Sequence, residues 1–259
     1  MNETFNLTRF LNLFKKHTAE QYKTYLMSAG VLIGVLILIL GFISYSTRGH
    51  MGPTIQAAMF INFLFFSGTI FTSLIFTDLG DRKKSIPALS LPASHFEKYL
   101  VAWVYSYVIF QLVFLLCFYA IDYLVITAWN AGAEEKMELI NVFSPDRKVW
   151  ASFLIFAVLH SICFLGAVFF EKLHFIKTVF SFFIFIAVLC LFNPVLLHII
   201  FQEEIDGGIP FTLVGLIIDK QNIYIEPTTT SRIIAATVAI LISVILWIST
   251  YFRLKEKQV

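Results

Sequence analysis

"SLPASHFEKYLVAWVYSYVIFQLVFLLCFYAIDYLVI", residues 90–126, opens on a short polar stretch and then runs apolar for 28 residues. Asp122 is the only charged side chain in that run. A helix rises about 1.5 Å per residue, so the run exceeds the roughly 30 Å of a bilayer's hydrocarbon core. Working outward, residues 25–45, 53–77, 149–170, 176–200 and 233–252 read the same way. None shows the ten-residue alternation of a membrane barrel strand, so helices are expected. The fold class expected is an all-α polytopic membrane protein with six transmembrane helices, the domain covering 25–252.

Composition agrees. Of 259 residues, 58% are hydrophobic and only 14% charged, whereas soluble domains are nearer half apolar and a quarter charged. A water-soluble body could not hide so much apolar side chain. The net charge of +2 is too small to suggest a nucleic-acid partner. Cys117, Cys163 and Cys190 fall inside apolar runs without ligand-type spacing, which describes packing residues rather than disulfides or a zinc site.

The span ends carry helix punctuation. Gly52-Pro53 places proline in a first turn, and Ser144-Pro145-Asp146 combines a cap, a proline and an acid near the positive helix end. Thr228–Ser231 offers caps for the last span, and Asn193-Pro194 should kink the fifth. Six spans put both chain ends on one side. With that side cytoplasmic, inner segments hold 13 of the 19 Lys and Arg, the asymmetry that the positive-inside rule requires.

Residues 1–24 carry no apolar core of a secretory signal. Leu7, Phe10, Leu11 and Phe14 instead recur at i, i+3, i+4, i+7, with Asn12, Lys15, Lys16 and Glu20 towards other faces. This pattern predicts an amphipathic helix in the inner membrane interface, preceding the first span.

Signs of intramembrane chemistry are sparse. The chain has no H-E-x-x-H, no G-x-S-x-G and no G-x-x-x-x-G-K-[ST]. Asp122 lacks the second carboxylate that an aspartyl mechanism needs, and reads better as an interfacial or packing residue. His160 and Cys163 lie one turn apart and His198 is distant; a neutral histidine bonded to a neighbouring helix is the better reading of His160. In the second span Asn62, Thr69 and Ser73 fall close to one face, and Gly68 and Thr72 form a small-xxx-small pair. Such residues either allow close helix packing or line a polar path.

The long inner loop 78–98, "DLGDRKKSIPALSLPASHFEK", sets Leu79, Ile86, Leu89 and Leu91 against Asp81, Arg82, Lys83 and Lys84. Pro87 and Pro92 break it, and Ser94-His95-Phe96-Glu97 satisfies S-x-x-E. Ser94 can cap the N–H of Glu97 while Glu97 reaches back to Ser94, which starts the third span at a defined point.

In layout and in this loop the chain resembles the permease subunits of ABC-2 type transporters. These have six membrane helices, an amphipathic connecting helix before the first, and a "tPvSr.E...K"-like turn before the third. Leu91-Pro92, Ser94, Glu97 and Lys98 match that turn in type and order, whereas "DLGDRKKS" replaces the usual E-R-x-x-G-T opening. The resemblance implies a coupling helix that docks on a cytoplasmic ABC ATPase. Asp81, Arg82, Lys83 and Lys84 would contact it, Ser94 and Glu97 would stiffen the lever, and Glu171 and Lys172 would add a second contact. It implies a non-catalytic permease in a dimer, homo- or heteromeric, in membrane lipid. The chain itself would hold no cofactor, ATP and Mg being bound by the partner ATPase. The setting implied is a bacterial inner membrane, with both termini and the tail 253–259 cytoplasmic, and the direction export. The alternative is a non-transporting accessory or sensor protein.

In the outer segment 201–232, "FTLVGLII" is apolar yet too short to span, as expected of a re-entrant or interfacial element. A hairpin with "IYIEP" as its second strand is the other reading, turning at 219–222.

Overall fold

In the computed structural model, the structure describes residues 5–48, 51–76, 93–131, 136–144, 149–170, 174–202, 204–208, 214–218, 221–225 and 228–256. Seven α-helices are found there: α1 (Leu7–Ser46), α2 (Pro53–Leu74), α3 (His95–Trp103), α4 (Phe110–Asn130), α5 (Ala151–Phe169), α6 (His174–Phe201) and α7 (Thr229–Glu256). A π-helical turn, Val104–Ile109, joins α3 to α4, so that His95–Asn130 runs as one rod. Six helices are long and apolar enough to cross a membrane, the rod counting as one. The chain is thus a helical, multi-pass membrane protein by length and composition.

The first helix differs from expectation. No break separates an amphipathic helix from the first span; α1 is continuous over 40 residues, about 60 Å at the usual rise. Asn6 caps it, its side chain accepting from the N–H groups of Thr8 and Arg9 at 2.9 and 3.3 Å. The expected apolar stripe also divides. Leu7 and Leu11 are exposed, while Phe14, His17 and Tyr25 stack around the Tyr105 ring at 4.8, 4.7 and 5.4 Å. Packing against the rod, and not the local moment, selects that face.

The rod's buried stripe explains its π turn. Glu97, Val101, Tyr105, Phe110, Phe114, Phe118, Asp122 and Ile126 are buried, spaced by four residues except for the five between Tyr105 and Phe110. A four-residue step over-rotates an α-helix by about 40°. The wider π turn spends an extra residue there and keeps the stripe facing the bundle.

Two cores result. Phe60 of α2 meets Phe114 and Phe118 edge-on at 5.4 and 5.1 Å, with Leu36, Leu40 and Phe156 around them. At the other end Phe76, Tyr99, Phe164, Ala167 and Leu254 form the second. There the two described ends of the chain meet: Phe96 lies 6.0 Å from Phe5 and 6.0 Å from Tyr251.

The α6 helix continues through Pro194 to Phe201. Its start is pinned, because a Cβ on Gly166 of α5 would lie 2.0 Å from Thr178 Oγ1. Beyond α6 the segment 201–232 is not helical where described until α7 begins. It forms an antiparallel sheet, β1 (Glu204–Gly208), β2 (Val214–Ile218) and β3 (Gln221–Ile225), in that order. The apolar half of "FTLVGLII" is β2, paired Leu216 to Ile223 and Gly215 to Tyr224. A hairpin is found, but Gln221 and Asn222, expected in its turn, pair with Ile218 and Ile217 within the strands: β-branched residues on a segment too short to span satisfy their backbone groups by pairing. Thr228 then caps α7, accepting from Ser231 N–H at 3.2 Å.

Candidate functional site

A buried, hydrogen-bonded carboxylate joins the starts of two helices. Ser94 Oγ accepts from Glu97 N–H at 3.2 Å, and Glu97 Oε2 accepts from Ser94 N–H at 2.9 Å, which is the capping box read from the sequence. The other carboxylate oxygen, Oε1, accepts from Asn6 N–H at 2.9 Å and from Arg9 Nη2 at 3.1 Å. Glu97 is fully buried by these partners. Burial works against its charge, but the N–H groups of Asn6 and Ser94 and the Arg9 guanidinium outweigh it and hold the carboxyl below its ordinary range.

One side chain therefore completes the N-terminal turns of both α1 and α3. Each helix start has N–H groups without partners and a positive dipole end, and both favour an anion. Thr18 adds a second tie, its hydroxyl hydrogen-bonded to the Tyr105 hydroxyl. Arg9 and Asn6 were not singled out in the sequence. Asn6 had a signal, as a capping residue ahead of an apolar stripe; Arg9 had only its charge.

Asp81, Arg82, Lys83 and Lys84, and also Glu171 and Lys172, which the resemblance implies as ATPase contacts, lie outside the described residues. Of the loop 78–98, residues 93–98 are described, and these include Ser94 and Glu97.

Inside the bundle, His160 of α5 ties three spans together. Trp247 Nε1 of α7 donates to His160 Nδ1 at 3.0 Å, and His160 Nε2 lies 2.9 Å from Ser106 Oγ in the π turn. An indole N–H only donates, so Nδ1 must accept and the proton sits on Nε2. Ser106 Oγ accepts that bond and donates its own O–H to the Ala102 carbonyl at 2.8 Å. His160 is fully buried, with the Tyr107 and Phe164 rings at 5.0 and 5.1 Å. The imidazole is thus a neutral tie between helices, as read from the sequence. Its partners could not have been picked out there, because Ser106 is one of many hydroxyls in the spans.

The polar residues of α2 separate by depth. Gly68 is a contact point: an added Cβ would meet Phe156 Cε2 at 2.2 Å. Asn62, Thr69 and Thr72 each bond the carbonyl four residues earlier, to Ala58, Phe65 and Gly68, all at 2.7 Å. Asn62 is exposed, Thr69 half-buried, and Ser73 buried against the Cys163 thiol. The structure thus brings Gly68 and Ser73 to α5 and leaves Asn62 outside the bundle. Asp122 is buried, and neither carboxyl oxygen has a hydrogen-bond partner among the described residues.

At the opposite end from Glu97, Gln56 performs a similar stitching role that its sequence position did not announce. Its Nε2 donates to the carbonyls of Met51 and Glu138 at 3.0 and 2.9 Å. Its Oε1 accepts from Ile140 N–H at 2.8 Å. Asn130 and the Tyr119 hydroxyl hold Met137 and Val142 of the same segment.

No family model, no curated protein and no solved structure matches this chain.

Proposed function

We propose that the chain is the membrane-spanning permease subunit of an ABC-2 type exporter, energised by a separate ATPase subunit. The observation that carries this reading is the Glu97 joint. A loop pushed by an ATPase needs a stiff connection to the spans, and Glu97 ends that loop while fastening α3 to α1. A load delivered at residue 94 would thus be shared by two helices, one of them about 60 Å long. Arg82, Lys83 and Lys84, with Asp81, supply the contact with the ATPase, and Glu171 and Lys172 a second one. The permease acts as a dimer in a bacterial inner membrane, both termini cytoplasmic, and ATP and Mg stay with the partner. The Phe-rich spans favour a substrate without strong charge.

The test is co-purification. Tagged protein extracted in mild detergent should bring down an ATPase carrying a phosphate loop. Reversing Arg82 and Lys83 to glutamate should abolish the association. Glu97→Gln should preserve association but lower ATP-dependent transport. If no ATPase is recovered with the wild-type chain, the reading fails and a non-transporting accessory protein takes its place.

A further inference from the structure

The ends of α1 and α4, at the Gln56 end of the bundle, flank an open cleft of about 410 Å³ lined by Tyr45, Ser46, Arg48 and Trp129. We propose that this cleft binds the phosphate group of a phospholipid. The inference rests on the chain spanning a membrane and is independent of the transporter reading.

Depth comes first. The apolar runs 25–45 and 99–126 end just before these residues, so the cleft stands where lipid phosphates lie. Arg48 follows the last turn of α1 in the left-handed region, φ 53°, its N–H bonded to Tyr45 carbonyl at 3.1 Å. That turn ends the helix and sets Arg48 on the cleft wall.

Chemistry comes second. A guanidinium offers forked donors that match phosphate oxygens, and it keeps its charge at any physiological pH. The indole N–H of Trp129 and the hydroxyls of Ser46 and Tyr45 add neutral donors on the same walls. Neither the Arg48 guanidinium nor the Trp129 indole N–H has a hydrogen-bond or ion-pair partner among the described residues. Tyrosine and tryptophan suit this depth because one end of each ring is apolar and the other polar.

A diester lipid is favoured over free phosphate by what lies below. Leu38, Phe42 and Tyr45 share one face of α1 and are exposed by 72, 70 and 74%. This face gives an acyl chain a continuous apolar wall leading up to the cleft.

The experiment uses the full chain, stripped of lipid in detergent, with phosphatidylglycerol as the probe and native mass spectrometry as the readout. Loss of the charge-assisted contact should lower retention in Arg48→Gln roughly tenfold or more. Trp129→Phe should lower it less. Diacylglycerol, which lacks the phosphate, should not compete. Unchanged lipid-free thermal unfolding of both variants shows that folding is intact. Equal retention by wild type and Arg48→Gln overturns the proposal. Displacement by inorganic phosphate alone overturns the lipid assignment and leaves a free-phosphate site.

Discussion

Arg9 Nη2 lies 3.1 Å from Glu97 Oε1, across 88 residues of chain, and the carboxylate is wholly buried while the arginine side chain is about one-third exposed. The pair is asymmetric. Arg9 can turn to water when its partner is lost, whereas the N–H of Ser94 would lose its acceptor in a buried site and that of Asn6 in a partly buried one.

That asymmetry predicts unequal mutational costs. Glu97→Ala should destabilise the protein by about 3–5 kcal/mol, as expected when a buried charged partner is removed. Arg9→Ala should cost nearer 1–2 kcal/mol, because the backbone donors still hold the carboxylate. A double-mutant cycle by thermal unfolding in detergent checks both values and their coupling.

The same joint should respond to acid. A carboxyl whose folded value is depressed contributes stability above its unfolded value, and this is lost as pH falls through the folded one. The stability gap between wild type and Glu97→Gln should therefore be constant near neutral pH. It should close as the pH drops below the ordinary glutamate range. Unfolding midpoints measured across that window decide it; a gap independent of pH would sink the assignment.

His160 should be the neutral Nε2–H tautomer. Nitrogen chemical shifts of labelled histidine should show a protonated Nε2 and a bare Nδ1. Trp247→Phe removes the donor to Nδ1 and should cost about 1 kcal/mol. His160→Phe should cost more, because Trp247 and Ser106 both lose a buried partner.

Gly68→Ala should destabilise although alanine favours helix by roughly 1 kcal/mol over glycine. The added methyl would sit 2.2 Å from the Phe156 ring, forcing α2 and α5 apart at an overpacking cost of about 1–3 kcal/mol. Combining Gly68→Ala with Phe156→Leu should recover part of the loss, read as unfolding midpoint.

Gln56→Ala should free the segment 136–144 without unfolding the bundle, since the amide bonds Glu138 carbonyl and Ile140 N–H there. Hydrogen exchange at Ile140 should accelerate about five- to tenfold, matching a hydrogen-bond loss of roughly 1–1.5 kcal/mol, while amides of α5 keep their protection.

The sequence by itself determined the number of spans, their approximate ends and the local caps. Length against bilayer thickness settles the first. Caps such as Ser94–Glu97 and Thr228–Ser231 close within three residues, so their partners are visible in one turn of chain. Only the tertiary structure decided which faces meet. In lipid the outside of a helix is as apolar as its inside, so hydrophobic pattern does not mark the buried face of a span. The split stripe of α1 and the π turn at Val104–Ile109 both depend on neighbours elsewhere in the chain. So do Arg9 for Glu97, and Ser106 with Trp247 for His160, pairs 54 to 88 residues apart. Helix rotation and register bring those groups within 3.1 Å of each other, and a one-dimensional reading contains neither.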